Sequence, residues 1–202
     1  GSSLANLSEV GEQVTFDPGA KLSLTASAAN VILSGNIGVI FNGDNRLTSS
    51  APIDLALASS SGDVFLGNGS RFDLSGPANV TINSGLQTTL LQSATINATD
   101  PGSSVNISAG GQLTLGNLLV PTSNLHSNDL VRFQASTVGT PAIPTVLNVT
   151  GGNIFFDGAN TVQGSNANID LAATDTQVVI GADSQLRIVP SGSSLNVTAN
   201  NG

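Results

Sequence analysis

His126 and Asp129 lie three positions apart, with Ser123 and Ser127 beside them, and His126 is the one histidine of the chain. These are the residue types of a nucleophile–base–acid relay. Such relays are assembled in space from distant segments, and no GxSxG turn is present to expose a serine. The expectation is a solvated histidine. His126, Asp129 and Arg132 nevertheless form the candidate ligand loop of this sequence, because they gather in its least regular stretch.

Paired carboxylates would be the signature of a polysaccharide-cleaving site. The only two glutamates, Glu9 and Glu12, stand near the N-terminus. Asp17, Asp44, Asp63, Asp100 and Asp183 sit in turn-like strings, and Asp54, Asp73 and Asp170 fall on strand-like ones. There is no Trp or Tyr to serve as a sugar platform. "FNGDNR" at 41–46 sets Asn42, Asp44 and Asn45 around a glycine but lacks the bidentate acid of a calcium loop. A glycine turn is expected there. With no cysteine, thiol catalysis, zinc–thiolate sites and disulfides are excluded. No catalytic residue, metal or cofactor is expected.

Charge narrows the partners. The 202 residues carry five basic and thirteen acidic groups, a net charge of −8. Five cations cannot neutralise a nucleic-acid backbone, and an anionic membrane surface is disfavoured for the same reason. No apolar run reaches the roughly 18 residues of a membrane helix, so no membrane insertion is expected. Three of the cations, Lys21, Arg46 and Arg71, recur every 25 residues and form a candidate basic column. Such a column could hold an acidic glycan or phosphate, but charged residues that blunt a turn edge are the plainer expectation.

That spacing belongs to a longer repeat. "QVTFDPGAKLSL" at 13–24 returns as "GVIFNGDNRLTS" at 38–49, "DVFLGNGSRFDL" at 63–74 and "QVVIGADSQLRI" at 177–188. Val14, Val39, Val64 and Thr89 share a column, as do Phe16, Phe41, Leu66 and Leu91. Leu22, Leu47 and Phe72 make another, followed by Asn30, Leu55, Val80 and Val105, then Ile32, Leu57, Ile82 and Ile107. Apolar residues come in i, i+2 pairs, which is strand spacing. Gly, Pro, Asn, Asp and Ser fill the gaps, as turns require. Units of this kind stack into parallel ladders. The expected fold is all-β: a right-handed parallel β-solenoid, or β-helix, of about 25 residues and three short strands per coil.

A single domain over 1–202 follows from the length. Residues 1–12 are expected to be a tag remnant ("GSS") and an N-terminal cap. Ile154/Phe156, Val162 and Ile169/Leu171 read as one late coil, and Val178/Ile180, Leu186/Ile188 and Leu195/Val197 as the next. The stretch 116–145 holds three of the eight prolines and breaks the period. It is expected to be a distorted coil with lengthened loops, on a face that binds something.

Alternation also predicts the outside. The third strand is expected to show Val31, Ala56, Thr81, Asn106, Asn148, Asp170 and Asn196. The first strand is expected to show Thr15, Ile40, Phe65, Leu90, Arg132, Phe155 and Val179. Ile40, Phe65, Leu90, Phe155 and Val179 are then a candidate interaction surface, since monomers seldom expose a contiguous apolar patch. Self-association, or a protein or glycan receptor, is the partner expected. Seven Asn-x-Ser/Thr sequons, at Asn6, Asn68, Asn79, Asn97, Asn106, Asn148 and Asn196, follow from a chain rich in these residues.

Strings such as "SSVNISAGGQLTLGN", "GSRFDLSGPANVTINSG" and "GADSQLRIVPSGSSLNVTANNG" resemble the repeats of filamentous-haemagglutinin-like exoproteins and of autotransporter passengers. The resemblance implies display outside the cell and adhesion. The Asn-Pro-Asn motifs of the secretion domain of such exoproteins are absent, so an internal passenger piece is expected. A non-catalytic structural or adhesive module is the expected function. A carbohydrate-active β-helix enzyme and a viral or phage fibre segment are the alternatives.

Overall fold

A computed structural model describes residues 6–24, 29–181, 184 and 192–200. It is a parallel β-solenoid of about seven turns, with no helix among the described residues. Every strand pairing is parallel, each strand lying on its counterpart one coil away. Three faces result. The first carries Asp63–Leu66, Thr88–Leu90, Leu113–Leu115, Leu130–Gln134, Asn153–Asp157 and Val178–Ile180. The second carries seven short strands from Lys21–Leu24 to Thr161–Val162. The third carries Ile53–Ser59, Ala78–Ser84, Ser104–Ala109, Thr122–Ser127, Thr145–Gly151, Ala167–Ala173 and Ser194–Ala199. Asn6–Phe16 and Ala29–Phe41 run through the corner from third face to first, so these two faces form one 15-stranded sheet. Asn6–Phe16 is therefore a rung of the ladder over residues expected to form a cap.

Alternation fills the interior with aliphatic columns. Val14, Val39, Val64, Leu113, Val131 and Ile154 stack inward on the first face. Beside them Phe16 lies flat on Phe41, with ring centroids 4.5 Å apart, and Phe133 lies on Phe156 at 4.4 Å. A coil repeat of about 4.8 Å delivers stacked aromatics at that separation without adjustment. The late coil at Ile154/Phe156, Val162 and Ile169/Leu171 is in place and buried. Leu186, Ile188, Arg187 and Asp183 lie outside the described residues.

The period is not constant, and this corrects the sequence reading at three points. Val31, not Asn30 or Ile32, pairs with Leu55, and Leu33 with Leu57. Val31 is fully buried, while Ile32 faces out with 39% exposure. Thr88 rather than Thr89 pairs with Val64, and Leu90 rather than Leu91 with Leu66. Leu90 is fully buried and Thr89 takes its expected outward place. Thr88 tolerates the interior because its hydroxyl lies 2.8 Å from that of Ser84.

The third correction is the stretch 116–145. Its first coil contracts, and its longer connection, 139–144, joins Thr137–Val138 to Thr145–Gly151. Val105 pairs with Ser123 and Leu113 with Val131, so one coil takes 18 residues. Thr122–Ser127 and Leu130–Gln134 are ladder strands, with Leu118, Val120, Leu125, Val131 and Phe133 in the core. The residues are lost at the other two corners: Leu118 follows Leu113 by five residues and Ser123 follows Leu118 by five, where Phe72 follows Val64 by eight and Val80 follows Phe72 by eight. Glycine allows the first of these close turns: a Cβ on Gly116 would overlap the Leu91 carbonyl.

Candidate functional site

The candidate ligand loop does not converge. His126 ends a third-face strand, exposed, with Nε2 3.1 Å from Asn128 Oδ1. Asp129 sits in the corner turn, its amide donating to Ser127 Oγ at 3.2 Å. Arg132 points outward from the first face and pairs with Asp157 at 3.2 Å. The corner separates His126 from Arg132, so the contiguous stretch is split between two surfaces.

The basic column does form. Lys21, Arg46 and Arg71 occupy successive rungs of the second face. Arg46 Nη2 donates to Asp73 Oδ2 at 2.8 Å and Arg71 Nε to Oδ1 at 2.6 Å. Asn97 Nδ2 adds a bond to Oδ1 at 3.2 Å. Partial burial opposes the Asp73 charge, but the hydrogen bonds from Arg71 and Asn97 and the fields of Arg71 and Arg46 outweigh it. They hold its carboxyl below the usual aspartate range. Asp73 thus neutralises part of the column, which leaves a local excess of positive charge in an acidic chain.

On the first face the outward column reads Thr15, Ile40, Phe65, Thr89, Thr114, Arg132, Phe155 and Val179 in consecutive rungs. Four of the five residues expected as an interaction surface are there, half-buried. Leu90 is not. Ile40 leans over Gly38 and the Phe65 ring over Gly67, where the missing side chains give them a floor. The apolar surface is therefore two pairs, separated by two threonines and an arginine.

The third face holds what the sequence reading missed. Asn124 Nδ2 donates to Asn106 Oδ1 at 2.8 Å, and Asn148 Nδ2 donates to Asn124 Oδ1 at 2.8 Å. This amide ladder borders an open groove of about 300 Å³, with Ser108, His126 and Thr150 along its other side. Asn106 and Asn148 are in the outward row expected from sequence. Asn124 was hidden because it follows Asn106 by 18 residues, out of step with the period. A ladder of stacked amides offers donors and acceptors at rung spacing without net charge. Such a surface suits a neutral, hydroxyl-rich ligand.

Aspartates on this face are tied into similar ladders. Asp54 accepts from Asn79 at 2.9 Å, and Asp170 from Asn196 at 3.2 Å. Among the described residues no three His, Cys, Asp or Glu side chains stand close enough to hold a metal ion, and no helix is long and apolar enough to cross a membrane. No protein-family model matches the chain, no curated protein matches it, and no solved structure matches it.

Proposed function

We propose that this β-solenoid is a non-catalytic structural and adhesive module displayed outside the cell, of the kind the filamentous-haemagglutinin-like and autotransporter-passenger repeats represent. The observation that carries the reading is the Asn106–Asn124–Asn148 ladder, set on a continuous parallel stack. The stack supplies length and rigidity, since each coil contacts only its neighbours and stability accumulates along the axis. The ladder supplies a neutral polar contact strip beside a groove. Its partner is a glycan without net charge, gripped by amide and hydroxyl hydrogen bonds.

Binding of the purified chain to neutral and acidic polysaccharides tests this, with Asn124→Leu as the comparison. Retention on a neutral polysaccharide, lost in the variant while its circular dichroism is unchanged, supports the adhesive reading. Release of new reducing ends from any of the polysaccharides overturns it in favour of a carbohydrate-active enzyme.

A further inference from the structure

The outward column of the first face has an internal symmetry. Counted from Thr114, the rungs on either side carry Thr89 and Arg132, then Phe65 and Phe155, then Ile40 and Val179. Over these seven rungs apolar pairs flank polar residues and the order reads nearly the same in both directions, with Thr15 one rung beyond Ile40 and outside the symmetric part. A single solenoid has no use for that symmetry, since its ends are in different surroundings. A second copy, turned over, does.

We infer that the first face docks against the first face of another copy of this chain, around a twofold axis that runs along the strands through Thr114. The two solenoid axes then point in opposite directions. Phe65 of each copy meets Phe155 of the other, Ile40 meets Val179, and Thr114 meets its own symmetry mate. A twofold interface must be self-complementary in this way.

Charge supports the same arrangement. The chain carries a net −8, so copies repel, and contact is cheapest where charge is sparse. Among the described residues this face shows Asp63 and the Arg132–Asp157 pair. In the antiparallel docking Asp63 falls opposite Asn153, Asp157 opposite Gly67, and Arg132 opposite Thr89. No like charges meet. A parallel docking would set each rung against itself and bring Arg132 to Arg132. Gly38 and Gly67 place no side chain beside Ile40 and Phe65.

Seven rungs at about 4.8 Å and strands of three to five residues give a face of roughly 30 by 10–16 Å. That is smaller than the roughly 800 Å² per partner of a standard interface, so the dimer is a weak one, in the micromolar range. The inference deepens the reading of the chain as a structural module. It fails separately from the adhesive reading, because the third-face groove stays open in monomer and dimer alike.

The absence of native cysteine makes the test direct. Thr114→Cys and Thr89→Cys are each made in the full chain and oxidised at tens of micromolar, then run on non-reducing gels. The expected result is a disulfide dimer from T114C, none from T89C alone, and a mixed dimer when T89C is combined with Arg132→Cys. Sedimentation equilibrium of the native chain should show a monomer–dimer equilibrium. Phe65→Asp should weaken it at least about tenfold with unchanged circular dichroism. A strict monomer, a trimer, or crosslinking of T89C as readily as T114C would overturn the inference.

Discussion

Asn124 donates its amide to Asn106 at 2.8 Å although only 18 residues separate them, whereas Asn148 reaches Asn124 at the same distance across 24. The ladder ignores the length of the chain between rungs and obeys only the stacking. Asn124→Ala removes both bonds at once. Each is partly solvated, so each contributes about 0.5 kcal/mol, the low end for an intramolecular hydrogen bond. The expected loss is a melting-temperature drop of about 2–4 °C, read by circular dichroism. An unchanged melt would mean that the amides do not bridge in solution.

The same relation explains how much of the fold the sequence displayed. Strand spacing, turn residues and a 25-residue period were visible because Val39, Val64, Leu47 and Phe72 fill the interior at that spacing. What stayed hidden were the turns that lose a residue, since turn residues take no part in the stack. At Val31/Ile32/Leu33 and at Leu90/Leu91, adjacent apolar residues fit either register, so alternation could not choose. The structure chooses Val31, Leu33 and Leu90 for the interior. The ladder around Asn124 was illegible for a related reason: the shortened coil shifts it out of the column that already held Asn106. The split between His126 and Arg132 could not be read at all, because sequence proximity does not reveal a corner.

Ser123 occupies an inward column between Val105 and Leu147, fully buried, and its hydroxyl has no hydrogen-bond partner. A buried unsatisfied polar group costs about 1–3 kcal/mol. Ser123→Ala removes the hydroxyl and leaves the shape nearly intact. It should raise the melting temperature by about 2–5 °C. A lower melting temperature would show that the hydroxyl is paired, for example with an internal water.

Leu66 and Phe65 are neighbours in sequence and opposites in the fold. Leu66 is fully buried, while Phe65 lies outward and half-exposed. Leu66→Asp places an unpaired carboxylate in the aliphatic interior and should cost more than about 3 kcal/mol, enough to unfold several coils. Phe65→Asp should shift the monomer's melting temperature by only a few degrees. Thermal melts of the two at low concentration make the comparison. Equal destabilisation would mean that the strand is not in this register.

Asp73 binds both Arg46 and Arg71, and its carboxyl is held below its ordinary range. A lowered folded-state value means that the folded chain binds this proton less readily than the unfolded chain. The stabilisation is therefore complete above the unfolded value of about 3.9, and it disappears as pH falls through the folded value. Both guanidiniums are more than half exposed, which keeps the neutral-pH effect of Asp73→Asn to about 1–3 °C. The difference between the native and D73N melting temperatures should be constant above about pH 5 and shrink steadily toward pH 2. In 1 M salt it should shrink at every pH, because screening reaches exposed charges first. A difference that grows on acidification would reverse the sign of the linkage and place the Asp73 charge outside the arginine pair.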